Sequence, residues 1–194
     1  ALFYYENNQI YSDIYDFQSG KLYKLNVTNT LDRQGLDISI KNDSLPSFLF
    51  DRAIINDSTV YCREIANEER QQIRFLWKNG KKRVPTHFEQ LNSVAVENRE
   101  NFNILSTITR KSPTSDLIVE VPINLDQINL FSATDSFGLT ICPNKEKLDK
   151  IGTIEDKIRW NRTYTYGGLR TYKDFFAALY INENELRFQT GRKT

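Results

Sequence analysis

Short runs of large apolar side chains, broken by clusters of polar turn residues, recur along the whole chain. In several of them apolar and polar positions alternate with a period of two, the pattern of a strand with one wet face. Residues 1–5 form a first run, and a polar turn at 6–9 leads into a strand over 10–17. Ile14-Tyr15-Asp16-Phe17 and Lys21-Leu22-Tyr23-Lys24-Leu25 are then separated by Gln18-Ser19-Gly20. The glycine supplies the left-handed backbone position that such a hairpin loop needs. Residues 31–43 read as a connection with one short strand. A second group follows, with strands at 53–55, 59–62 and 72–77 and turns at 56–58 and 67–69. Asn79-Gly80 is the strongest short hairpin signal in the chain, with a return at 81–84.

A third group places strands at 103–109, 117–121 and 127–131, then a longer loop at 132–137 and a return at 138–142. Residues 143–158 are charged, and their apolar spacing is interrupted by Gly152, which predicts a loop with at most a turn of helix. In the fourth group, residues 163–166 and 169–172 flank Gly167-Gly168, and strands at 175–181 and 186–188 surround a turn at 182–185.

The closing hairpins of the four groups align on a glycine. They read F-Q-S-G-K at Phe17, W-K-N-G-K at Trp77, a longer F-S-A-T-D-S-F-G-L at Phe131, and F-Q-T-G-R at Phe188. Gly20, Gly80, Gly138 and Gly191 are thus 60, 58 and 53 residues apart. Periods in this range with about four short strands are the signature of propeller blades. A lone four-stranded sheet has two faces and cannot bury both, so blades stack. The expected fold is all-β, a β-propeller of four-stranded antiparallel blades. Residues 1–194 would form a single propeller domain or propeller fragment, with blades near 1–43, 44–98, 99–142 and 159–194. The alternative is a large β-sandwich.

Composition narrows function mainly by exclusion. Lys+Arg 26 against Asp+Glu 25 gives a net charge of +1, which offers no electrostatic case for nucleic acid or an anionic membrane surface. No segment reaches the roughly 18 apolar residues of a membrane span. The chain starts at Ala1, without Met or a signal-like segment, and reads as a mature or trimmed product. Cys62 and Cys142 are either one bridge or two separate buried thiols.

The catalytic inventory is thin, and no catalytic, metal or cofactor site is expected. His87 is the only histidine and falls in a loop after Pro85-Thr86, where an exposed ring is expected. Asp16, Asp57, Asp126 and Asp135 fall at turn positions, where Asx hydrogen bonding accounts for them. The richest recognition stretch is R-W-N-R-T-Y-T-Y-G-G-L-R-T-Y, which concentrates Arg159, Trp160, Arg162, Tyr164, Tyr166, Arg170 and Tyr172. Aromatic faces beside guanidinium groups suit sugar rings or extended peptides. The competing reading packs the tyrosines between blades and leaves the arginines to solvate the rim.

Four stretches also carry a family resemblance. They are Tyr15-Asp16-Phe17-Gln18-Ser19-Gly20-Lys21-Leu22, Ile55-Asn56-Asp57-Ser58-Thr59-Val60, Asp126-Gln127-Ile128-Asn129-Leu130-Phe131, and Tyr166-Gly167-Gly168-Leu169 through Phe176-Ala177-Ala178-Leu179-Tyr180. On them the chain resembles the TolB-like six-bladed β-propellers of Bacteroidetes. That resemblance implies a periplasmic or outer-membrane-anchored protein of the cell envelope, held by a lipid anchor outside this sequence. It also implies a binding or scaffolding role; the hairpin repeat and the thin catalytic inventory make the expected function non-enzymatic, with a glycan, peptide or envelope protein bound through the loops. The alternative function is a propeller-based polysaccharide hydrolase or lyase that uses carboxylate, Tyr and Arg groups at the channel mouth. Four blades are visible where the family has six.

Overall fold

The computed structural model describes residues 3–33, 35–66, 68, 70–96, 99–142 and 163–191. The chain divides into two compact units, Ala1–Leu49 and Phe50–Thr194. The loop expected at 143–158 lies outside the described residues, as do residues 67 and 69 of the expected turn.

The first unit is one antiparallel sheet of β1 (Phe3–Glu6), β2 (Gln9–Tyr15), β3 (Leu22–Asn26) and β4 (Ile38–Asn42), paired in chain order. Asn7 and Asn8 both take positive φ (49° and 61°), the type I′ geometry that matches strand twist in a two-residue hairpin. The loop from Asp16 to Lys21 closes through Asp16 N–H to Lys21 O at 2.8 Å and Gly20 N–H to Asp16 O at 2.9 Å. Asp16 Oδ1 accepts from Gln18 N–H at 3.0 Å, so the aspartate does the Asx work expected of it. Gly20 sits at φ +70°, and a Cβ there would lie 2.2 Å from the Leu45 carbonyl oxygen.

The connection between β3 and β4 differs from the expectation of loop and strand alone. It contains a helix, α1 (Val27–Arg33). Its β-branched start hides it from propensity. Asn26 caps it instead, with Oδ1 accepting from Asn29 N–H at 2.9 Å.

The second unit opens with β5 (Asp51–Asn56), β6 (Thr59–Ala66), β7 (Gln71–Lys78) and β8 (Lys81–Arg83), again a sheet in chain order. Asn79 (φ 50°) and Gly80 (φ 76°) turn β7 into β8. A 3₁₀ turn at Thr86–Phe88, the short helix α2 (Glu89–Asn92) and a 3₁₀ segment at Arg99–Leu105 lead to the next sheet. That sheet pairs β9 (Thr107–Lys111), β10 (Leu117–Pro122), β11 (Ile128–Ser132) and β12 (Gly138–Ile141) in sequence. The strand expected over 103–109 therefore begins only at Thr107. Ile104 and Leu105 are buried, with Val96, Phe102 and Leu125, from a 3₁₀ segment. Short apolar runs do not distinguish that state from a strand.

The last described elements are β13 (Thr163–Thr171), β14 (Phe176–Asn184) and α3 (Glu185–Thr190). Two expectations fail here. Gly167-Gly168 does not separate two strands: β13 runs through both, with register shifts between Tyr164 and Tyr166 and between Tyr166 and Gly168. A Cβ at Gly167 would meet Ile181 Cδ1 at 2.5 Å, so the glycine permits close packing rather than a turn. The F-Q-T-G-R hairpin is also replaced, because residues 185–190 are helical and Gly191 (φ 62°) ends that helix, its N–H donating to Arg187 O at 3.0 Å. The β13–β14 sheet has two strands among the described residues.

Among the described residues the protein is thus all-β, with three four-stranded antiparallel meanders in sequence order and a two-stranded ribbon. Within the second unit, Tyr61 and Leu76 of the β5–β8 sheet share a core with Ile118 and Phe131 of the β9–β12 sheet and with Phe88 between them. Val119 and Val121 of β10 share another with Tyr166 and Leu169 of β13.

Candidate functional site

The β13–β14 ribbon carries the part of the predicted recognition stretch that the structure describes; Arg159, Trp160 and Arg162 lie outside the described residues. The remaining four residues do not form one patch. Tyr164, at the start of β13, stacks on Phe188 at 4.8 Å and 13°. Tyr172 follows the far end of the strand. Eight residues of extended chain separate the two by about 25 Å, so one small ligand cannot reach both.

Tyr166 is buried, 3% exposed, and belongs to the core. Its hydroxyl donates to Asp126 Oδ1 at 3.4 Å, and Tyr180 donates to Asp126 Oδ2 at 3.5 Å. Burial, and then the Asp126 charge, push the Tyr166 phenol up to about 12. Asp126 itself is buried, in the bend between β10 and β11.

The exposed part of the stretch is the loop after β13, Tyr172-Lys173-Asp174-Phe175. Tyr172 and Phe175 stack at 4.6 Å and 18°, while 49% and 63% of their surfaces remain exposed. The loop is closed by Tyr172 N–H to Phe175 O at 2.8 Å. It is fixed from the side by the Thr114 hydroxyl on Lys173 O at 3.1 Å and by Thr171 Oγ1 on Lys111 O at 2.8 Å. Arg170 is exposed on the strand just before it, with Nη1 donating to Leu169 O at 3.3 Å. The loop presents a stacked aromatic pair, with Lys173 and Asp174 between the two rings in sequence and Arg170 two residues before Tyr172. Phe175, Lys173 and Asp174 are not among the predicted recognition residues, and Phe175 lies in the loop before β14 rather than in the strand expected over 175–181; its adjacency to Tyr172 across a tight loop is the available signal.

A second constellation is internal. Glu120 on β10 is fully buried; Arg74 Nε and Nη2 each lie 2.8 Å from its Oε2, and the Tyr61 hydroxyl donates to Oε1. Arg74 Nη1 donates to Leu91 O at 3.2 Å, and Asn92 bonds both the N–H and the C=O of Arg74. Burial alone would raise the Glu120 carboxyl, but Arg74, Arg63 and the donated hydrogen bonds hold it below its ordinary range. This carboxylate is ionised, saturated and sealed from solvent. It joins two sheets and has no free oxygen for acid–base work on an external substrate.

His87 is half-buried rather than exposed. Its Nε2 lies 2.8 Å from Ser132 O, and its ring packs edge-on against Phe88 at 4.6 Å. Cys62 is buried on β6 and Cys142 is half-buried after β12, and neither forms a disulfide. Among the described residues no group of three or more His, Cys, Asp or Glu side chains converges in a metal-holding arrangement. Among those residues, too, no helix is long and apolar enough to cross a membrane.

Comparison with known proteins is negative. No protein-family model matches the chain, and no curated protein matches it.

Proposed function

We propose that the protein is a non-enzymatic binding module of the cell envelope, built on propeller-type blades, that takes a glycan through its loops. A peptide or a protein partner is the other occupant those loops would suit. The observation that carries this reading is the exposed Tyr172–Phe175 stack, with Lys173, Asp174 and Arg170 beside it. A flat apolar face bordered by charged hydrogen-bonding groups is what a sugar ring needs, and holding the rings in advance lowers the entropy of binding.

The blade reading draws on three successive four-stranded meanders, each closed within a contiguous stretch of chain. The TolB-like resemblance, the envelope location and the lipid anchor rest on the sequence stretches quoted above. An experimental structure with the sheets arranged radially would support the propeller, and a face-to-face pair of sheets would replace it with a sandwich. Binding is tested by glycan and peptide arrays followed by calorimetry. Tyr172→Ala is expected to weaken the captured ligand about tenfold, the effect of losing an aromatic anchor worth more than about 1 kcal/mol. Unchanged affinity in both Tyr172→Ala and Phe175→Ala would move the site elsewhere. Turnover of a polysaccharide by the wild-type protein would favour the hydrolase or lyase reading.

A further inference from the structure

A cavity of about 20 Å³ lies in the second unit, with Gln72 and Arg74 of β7, Thr107 of β9, Asn129 of β11 and apolar side chains such as Leu105 and Leu125 in its wall. Gln72 and Asn129 are 2% and 1% exposed. Gln72 Oε1 accepts from Arg63 Nη1 at 2.9 Å. A guanidinium only donates, so this bond fixes the amide and leaves Nε2 as the end without a protein partner. Asn129 Oδ1 is engaged by the Thr140 hydroxyl at 2.9 Å. Neither Gln72 Nε2 nor Asn129 Nδ2 reaches an acceptor among the described residues. Two buried amide donors on the wall of one cavity call for an acceptor inside it.

We propose that this cavity is a site for one structural water, which accepts from Gln72 and Asn129 and donates to the Thr107 hydroxyl. Thr107 Oγ1 already accepts from Arg63 and keeps a second lone pair. Three hydrogen bonds are the usual number for a buried water, and the volume exceeds the roughly 10–15 Å³ that one such molecule requires. An anion fits the donors but not the charge balance. Arg63 faces Asp51 at 3.4 Å and Arg74 faces Glu120 at 2.8 Å, so both nearby cations are matched. The water ties β7, β9 and β11 together, bridging two sheets beside the Arg74–Glu120 pair.

Water-selective nuclear Overhauser spectroscopy of the full chain provides the test. The side-chain amides of Gln72 and Asn129 should both show cross-peaks to a long-lived water, and Gln72→Met should abolish the one at Asn129 or sharply weaken it. A wild-type spectrum without either cross-peak overturns the proposal, whether or not the variant folds. Crystals soaked in bromide give the second arm. An anomalous peak in the cavity would make the site an anion site and overturn the water, whereas a single non-anomalous oxygen peak supports it.

Discussion

Replacing Arg74 by Met removes the counter-charge from a carboxylate that has no access to solvent. At the 2.8 Å separation of Arg74 Nη2 and Glu120 Oε2, two unit charges attract by about 6 kcal/mol at an effective dielectric near 20. Part of that is offset in the wild type by the desolvation of both ions, so the net loss expected of Arg74→Met is about 3–5 kcal/mol at neutral pH. Urea unfolding followed by fluorescence, extrapolated to water, reads this directly.

The deficit should also depend on pH. In the wild type the Glu120 carboxyl is held below its ordinary value of 4.5. Its contribution is therefore complete above that value and is lost as pH falls through the lower folded one. Without Arg74, burial dominates and the folded pKa rises above the unfolded one, so the variant takes up a proton on acidification. The gap between the two proteins should be widest near neutrality and narrow toward pH 4. Adding Glu120→Leu should recover at least half of the loss, because the stranded charge is gone. A cost below about 1 kcal/mol, or a double variant as unstable as the single one, would refute this account of the pair.

Other outcomes follow from single sites. Gly20→Ala must place a side chain at φ +70° and 2.2 Å from a carbonyl oxygen, and should cost more than about 2 kcal/mol. Gly80→Ala, at φ +76° with open space around it, should cost only about 1 kcal/mol, and thermal melts of the two variants will show the difference. The Cys62 thiol is fully buried and pushed up to about 12, by burial first and then by Glu64. A thiol reagent at pH 8 should therefore label Cys142 in the native protein and Cys62 only after denaturation. Tyr166 stabilises the fold while protonated, so its contribution is complete below the ordinary phenol value of 10.0 and is lost as pH rises toward about 12. Asp126→Asn should bring its ultraviolet titration downward; an unmoved titration would mean that Asp126 does not act on it.

The glycines explain both the success and the failure of reading this fold from sequence. Gly20, Gly80 and Gly191 all take positive φ. At Gly20 and Gly80 that conformation turns a strand back on itself, but at Gly191 it stops a helix. The two uses demand the same backbone geometry and leave the same trace in the sequence. Gly138 opens β12 opposite Phe131 and needs no left-handed backbone at all. The alternation within strands and the Asn-Gly turn were legible because both are local. The Glu120 centre was not, since its members come from β6, β7 and β10 and nothing local marks a glutamate in a strand as buried. In the stretch from Arg159 to Tyr172 no local pattern announced that a bulged continuous strand carries Tyr164 and Tyr172 to opposite ends of β13.

Each four-stranded sheet pairs only strands that are neighbours in sequence, the longest connection being the helical one between β3 and β4, so its pairing is local and can form early in folding. The internal ion pair spans 46 residues from Arg74 to Glu120, and Tyr61 reaches Glu120 across 59. Those contacts form only after two finished sheets have met. Until then Glu120 and Arg74 remain hydrated, and sheets docked out of register would bury charges without partners. The pair is therefore expected to form late and to penalise misdocked sheets more than it speeds the correct encounter, so that Arg74→Met should speed unfolding more than it slows folding.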